Sequence, residues 1–238
     1  MDEFKGNTDG EKYQLILTDL EHNKIFDILP SRKKEYVKEY LKEFQNRNEV
    51  EYFVMDMAGN YKDMAWLFPK AKVLVDKFHY VRQVYWALDN VRKRIQKQFI
   101  KEKRIYFKHS KKLLYKDYTK LEREEQQQLY NMLSQSEEFR QAWLLKEHFI
   151  DFKRSRTTEQ AEKELHIWLL EAEEYEIPEF KAATTAFHNW AREILNSITY
   201  NMTNARTEGY NNKIKVLKRN AYGYRSFENF RRRILLMA

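Results

Sequence analysis

The apolar residues of this chain change their period once, near residue 80, and that switch restricts the fold more than any other feature. Before it, short apolar runs alternate with turn residues. Residues 12–19 and 24–29 are two such runs, and Glu21-His22-Asn23 between them supplies turn chemistry, so a β-hairpin is expected. Pro30 and Ser31 open a helix in which Tyr36, Val37, Tyr40, Leu41 and Phe44 recur at helical spacing. A β-type run from Val50 to Met55 then ends at Asp56. Gly59-Asn60 breaks it, and a short helix with Met64, Ala65, Leu67 and Phe68 leads to Pro69. A third apolar run, Ala71 to Val75, ends at Asp76. This order is that of an α/β fold, with the later strands parallel and buried.

After the switch, Val81, Val84, Tyr85, Leu88, Val91, Ile95 and Phe99 trace one face of a long helix. Helical patterning continues to about Asn196, through 113–118, 122–133, 137–149, 158–174 and 178–195, with a loop at Ser155-Arg-Thr-Thr ending in a cap at Thr157 or Thr158. No strand signal interrupts it. The expected organisation is an α/β part over 1–79, an all-helical insertion over 80–200, and a segment over 201–238 that returns to the first part. The scarcity of chain breakers (Gly 5, Pro 3) beside 34% charged residues agrees with a helix-rich, ordered chain.

The net charge of +8 favours an anionic partner, although many proteins are this basic without one. The chain has no Cys, which excludes disulfides, thiolate zinc sites and Cys nucleophiles and suits a reducing cytoplasm, the expected location. The first residues have no apolar core of a signal peptide, and no run approaches the roughly 20 apolar residues of a membrane span. His22, His109, His148, His166 and His188 are scattered without ligand spacing, so a zinc site is not expected.

Asp56 and Asp76 both end apolar strands, the place where open α/β sheets bind ligands. An Asp there is also an ordinary turn residue. A third carboxylate, Glu208, heads a basic helix carrying Lys213, Lys215, Lys218 and Arg219. Two strand-end carboxylates and a helix-borne one can hold two divalent cations about 3.5–4 Å apart and act on a phosphodiester. Mg²⁺ suits such oxygen ligands, with Mn²⁺ as a substitute. Asp76 and His79 form an i, i+3 pair at a helix start, read either as support beside such a site or as a cap followed by a partly buried His. From Ala205 onward nine basic residues face only Glu208 and Glu228, interleaved with Tyr210, Tyr222, Tyr224, Phe227 and Phe230. That composition suits contact with a phosphate backbone.

Several segments together resemble the catalytic region of ISL-three family insertion-sequence transposases, of the DDE, RNase H-like superfamily. They are Met1-Asp-Glu-Phe, Val54-Met-Asp-Met with Tyr61, the run from Phe68 to Val81, and Asn204-Ala-Arg-Thr-Glu-Gly-Tyr-Asn-Asn-Lys onward to Arg231. The resemblance implies an RNase H-like mixed sheet interrupted by a large helical insertion, that is, α/β plus all-α. It implies that Asp2, Asp56 and Glu208 are the catalytic, metal-holding acids, with Asp76 and His79 in support and Asp76 an alternative second acid. Arg206, Lys213, Lys215, Lys218, Arg219 and Arg225 would contact DNA. The activity implied is metal-dependent cleavage and strand transfer at transposon ends, by a homo-oligomer when active. The first strand of such a sheet should precede Asp2, so it is expected to be missing here and the chain to be a truncated copy. A DNA-binding remnant without catalysis is the alternative.

Overall fold

A computed structural model describes residues 1–6, 11–200, 202 and 204–237. The chain divides into two compact units, one made of residues 1–77 with 202–238, the other of 78–201.

In the first unit, strand β1 (Asp2–Lys5) pairs antiparallel with β2 (Tyr13–Asp19), and β2 with β3 (Lys24–Leu29). β1 differs from expectation. Asp-Glu-Phe-Lys shows no apolar alternation, but pairing with β2 makes it a strand from Asp2 itself. The β2–β3 turn contains Asn23 at φ 54°, a left-handed conformation that Asn tolerates well. Asp19 stabilises this turn by accepting from the backbone N–H groups of Glu21 and His22, both at 3.1 Å. The register of the hairpin shifts between Leu17 and Thr18. Helix α1 (Lys34–Lys42) buries Val37 and Leu41. Strands β4 (Tyr52–Met55) and β5 (Lys72–Val75) are parallel, joined through the short helix α2 (Gly59–Lys62), because parallel neighbours need a crossover.

Among its described residues the second unit is built of helices and contains no strand. It comprises α3 (Lys77–Gln96, entering from the first unit), α4 (Lys101–Phe107), α5 (Lys111–Tyr115), α6 (Arg123–Leu133), α7 (Glu137–Arg154), α8 (Thr158–Glu174) and α9 (Lys181–Tyr200). Thr157 caps α8, its side chain accepting from Gln160 N. The core is aromatic. Phe187 lies 5.9 Å from Tyr80, 5.5 Å from Phe149 and 5.0 Å from Trp168, centroid to centroid, and all four rings are fully buried. The Trp168 indole satisfies its one donor on Leu145 O at 2.8 Å. The buried Arg92 and Asp89 of this unit pair with each other at 2.8 Å, and Arg92 also donates to Phe107 O at 2.9 Å.

The chain then returns to the first unit with α10 (Ala205–Asn220) and α11 (Phe227–Leu235). Ile214 of α10 and Phe230 and Ile234 of α11 close over Phe4, Ile16, Ile25 and Ile28, giving the sheet its core. Among the described residues no helix is long and apolar enough to cross a membrane.

Candidate metal centre

The β4–β5 ladder sets two carboxylates side by side. Met55 is in register with Val75, and Asp76 N carries the pairing one step further by donating to Met55 O at 2.9 Å. The residue that follows β4 is Asp56, so both acids leave the sheet at the same carboxyl-terminal edge. One carboxylate oxygen of Asp56 lies within 4.8 Å of one of Asp76.

Strand β1 brings the third acid. The Met1 amino group donates to Val54 O at 2.8 Å, and the Asp2 side chain meets that of Asp56. Burial and the neighbouring Asp56 carboxylate push the Asp2 carboxyl up to about 7, against the opposing bond from Glu3 N at 2.6 Å. Two carboxylates this close cannot both ionise without a compensating cation. Burial holds the Met1 amino group below its ordinary pKa, which makes it a weak counter-charge.

Helix α10 covers this edge with neutral donors. Asn204, Thr207 and Asn211 recur on one face, and all three are buried. Asn211 Nδ2 donates to Asp2 Oδ2 at 2.7 Å, and Asn204 N to Asp76 Oδ1 at 3.4 Å. The Thr207 hydroxyl lies 2.8 Å from that of Thr18, so the helix docks on β2 through a hydroxyl pair. Tyr61, buried behind the edge, donates to Glu3 at 2.7 Å and fixes the residue after Asp2.

The sequence-derived acids are therefore brought together in part. Asp2, Asp56 and Asp76 converge. Glu208 lies in the first turn of α10, exposed, and among the described residues its carboxylate makes no hydrogen bond or ion pair. It sits between Thr207 and Asn211, beside the buried face rather than on it. His79 stands in the first turn of α3, three residues after Asp76. The residues that sequence reasoning passed over are Asn204, Thr207 and Asn211. Their i, i+3, i+7 spacing was the available signal, hidden by the more conspicuous charges around them.

The ISL-three transposase family model, which carries the description "Transposase", matches residues 1–234. The chain belongs to this family of transposases. The transposase for insertion sequence element IS1001 of Bordetella parapertussis is 25% identical over 239 residues, covering 97% of this chain and 58% of the relative. The chain thus spans little more than half the length of that relative. A Lactococcus lactis protein named ATP-dependent protease is 43% identical over 61 residues, 25% of this chain and 20% of its own length. No solved structure matches.

In this transposase family member the cations of α10 form a second feature beside the acids. Glu208, Asn212, Lys215 and Arg219 follow one another at helical spacing, and all four are exposed. Arg206, Lys213 and Arg225 are exposed as well. Lys218 is otherwise engaged. It is half-buried and donates to Lys5 O, and burial, then Lys5 and Lys215, hold its pKa down. Arg231 is likewise engaged, ion-paired at 2.6 Å with buried Asp27.

Proposed function

We propose that this chain is the core of a transposase that cuts and joins DNA strands, with Asp2, Asp56 and Glu208 holding divalent metal, Mg²⁺ or Mn²⁺. The observation that carries this reading is the Asp2–Asp56 pair, two carboxylates pressed together, with the Asn211 amide on Asp2 and the buried Met1 amino group beside them. That donor set, all hard oxygen, fits Mg²⁺. The ladders form two sheets, β1-β2-β3 and β4-β5, and the bond from Met1 to Val54 O between them supports reading the two as parts of one RNase H-like sheet.

In this reading Asp2 and Asp56 hold the cations from the sheet, and Glu208 reaches them from the helix. Asp76 and His79 support them. Asn211 and the Glu3 amide fix the Asp2 carboxylate, one on each oxygen. When bound, divalent cations supply the Lewis acidity that activates a water or a 3′-hydroxyl and stabilises the departing oxygen at phosphorus. Lys213, Lys215 and Arg219, with Arg206 and Arg225, neutralise backbone phosphates of the DNA end. Activity belongs to a homo-oligomer on DNA.

The test is strand cleavage and transfer on DNA carrying the element's ends, with Mg²⁺, Mn²⁺ or EDTA. It uses this chain and a form extended to the length of the IS1001 relative. Metal-dependent products are expected from a competent form. Asp56→Ala and Glu208→Ala each lower them by at least about 10²–10³-fold, the scale on which a single electrostatic stabiliser acts. Salt-sensitive DNA binding with no metal-dependent product in either form would replace this reading with a non-catalytic binding role.

A further inference from the structure

Helix α4 buries one side chain, Phe107, and leaves the rest of its surface to solvent. Residues 97–112 carry seven basic residues and a single acid, Glu102. Lys101, Arg104, Lys108 and Lys112 are exposed, and among the described residues none of the four makes an ion pair. Cations with so little acid to balance them draw an anionic partner. Among them stands Tyr106, 63% exposed.

Between α4 and α6 lies a pocket of about 530 Å³, within the ordinary size of small-ligand sites. Its apolar lining is Phe107 and Met132, both fully buried. The Phe107 ring is fixed at 4.9 Å from Phe99 and 5.6 Å from Phe139, centroid to centroid. Tyr106 lines the pocket from α4, and Gln128 and Asn131 line it from α6. Asn131 Oδ1 already accepts from Gln127 at 3.1 Å, and Gln135 accepts from Lys103 at 3.2 Å. The Gln128 side chain makes no hydrogen bond among the described residues, so both its oxygen and its nitrogen are free to read a ligand.

An aromatic face, an apolar floor and an open amide, ringed by unpaired cations, match the parts of a nucleotide. A ring stacks on Tyr, an amide pairs with a base edge, and cations take the flanking phosphates. We propose that the α4–α6 pocket holds one unpaired base of a DNA strand, stacked on Tyr106 and read by Gln128, with Arg104 and Lys108 on the neighbouring phosphates. Adenine is the base that fits, because it sets an acceptor nitrogen beside an amino group, the complement of a Gln amide. A paired base cannot enter, since its faces are covered within the stack. The row of cations extends beyond the pocket, which favours a strand over a free nucleotide. This inference rests on the DNA reading above but is independent of metal binding.

The test is equilibrium binding by the full chain, in EDTA, of three DNAs: a fully paired duplex, the same duplex with one bulged adenine, and the same with one bulged abasic nucleotide. The adenine bulge should bind about tenfold more tightly than the other two, the scale of one stacked base. Tyr106→Ala and Gln128→Leu, both at exposed positions, should each erase most of that preference and leave affinity for the paired duplex within about twofold. Lys108→Ala should weaken all three complexes and lower their salt slope by about one. Equal affinity for the adenine and abasic bulges would overturn the proposal, since the protein would then be reading the bent backbone. A preference that survives both pocket variants would place the base elsewhere and overturn it too. Free dAMP bound as tightly as the bulged duplex would give the pocket to a mononucleotide instead. No binding to any of the DNAs would overturn the DNA reading as well, whereas a lost preference with paired-duplex binding intact overturns this inference alone.

Discussion

Asp27 and Asp2 are both strand aspartates of the same unit, yet their surroundings drive their carboxyls in opposite directions. Asp27 is buried, which by itself would raise its pKa. Arg231 Nε at 2.6 Å, Tyr40 OH at 2.6 Å and Ile28 N at 2.7 Å more than offset that burial, and the carboxyl is held below the usual range. Asp2 also has two good donors, Glu3 N and Asn211, but burial and the neighbouring Asp56 carboxylate outweigh them. Its carboxyl rises to about 7. The fold thus supplies a cation from its own sequence where a carboxylate is structural. At the β1–β4 edge it sets a second carboxylate and an amide beside Asp2, with the buried Met1 amino group as a weak counter-charge.

Asn211→Ala would break that contrast furthest. It removes the amide that donates to Asp2 Oδ2, and metal-dependent cleavage should fall by about 10–100-fold, the usual cost of losing a group that orients a metal ligand. Asn211→Asp should not rescue it, since it adds a fourth acid. A cleavage rate unchanged in Asn211→Ala would show that Asp2 needs no orientation.

Arg231→Ala strands Asp27 with Tyr40 and the Ile28 amide, and should destabilise the protein by about 2 kcal/mol in urea unfolding, with cleavage per folded molecule preserved. An unfolding midpoint unmoved by this change would deny Asp27 its structural role.

The two aspartates also give opposite pH dependences. Asp27, depressed in the folded state, stabilises above the ordinary carboxylate pKa near 4, and that stability is lost as pH falls through its folded value. Asp2, raised to about 7, favours the folded state below its ordinary pKa and loses that contribution as pH rises through about 7. In EDTA, Tm should therefore fall by a few degrees between pH 5.5 and pH 8. Asp56→Asn should flatten that slope, and Mg²⁺ should do the same in the unaltered chain. A slope equal in the presence and absence of Asp56 would refute the coupling.

The smallest effect is expected on the exposed stripe of α10. Lys215→Ala should leave stability unchanged and lower the slope of log affinity against log salt for DNA by about one. Lys218→Ala, by contrast, should lose stability before it loses DNA, because its ammonium is spent on Lys5 O.

The hairpin, the parallel pair and the positions of Asp56 and Asp76 were legible in the sequence because each is written locally. An apolar run of strand length that stops at an Asp needs no distant information. The helices expected over 122–133 and 158–174 were legible for the same reason, as was a cap at Thr157 or Thr158, which the fold places at Thr157. What was not legible depends on residues far apart in the chain. Asn211 and Asp2 are 209 positions apart, and Arg231 and Asp27 are 204. Without the fold, Asn211 reads as one more polar residue on a solvated helix and Arg231 as one more cation in a basic tail. β1 was missed because four residues with a single buried apolar side chain, Phe4, carry no pattern of their own.

The first unit is built from two separated lengths of chain, and synthesis must therefore finish it in two instalments. Residues 78–201, a compact unit of their own, emerge between the two. At about 5–20 residues per second they occupy the ribosome for on the order of ten seconds. Throughout that interval the β1–β3 meander waits without Ile214, Phe230 and Ile234, and the acidic edge without Asn204 and Asn211. A chain released early would carry the aspartates but neither the lid over its sheet nor the amide that orients Asp2. Completion of the last helices is thus the step at which a nascent, adhesive sheet becomes a finished surface.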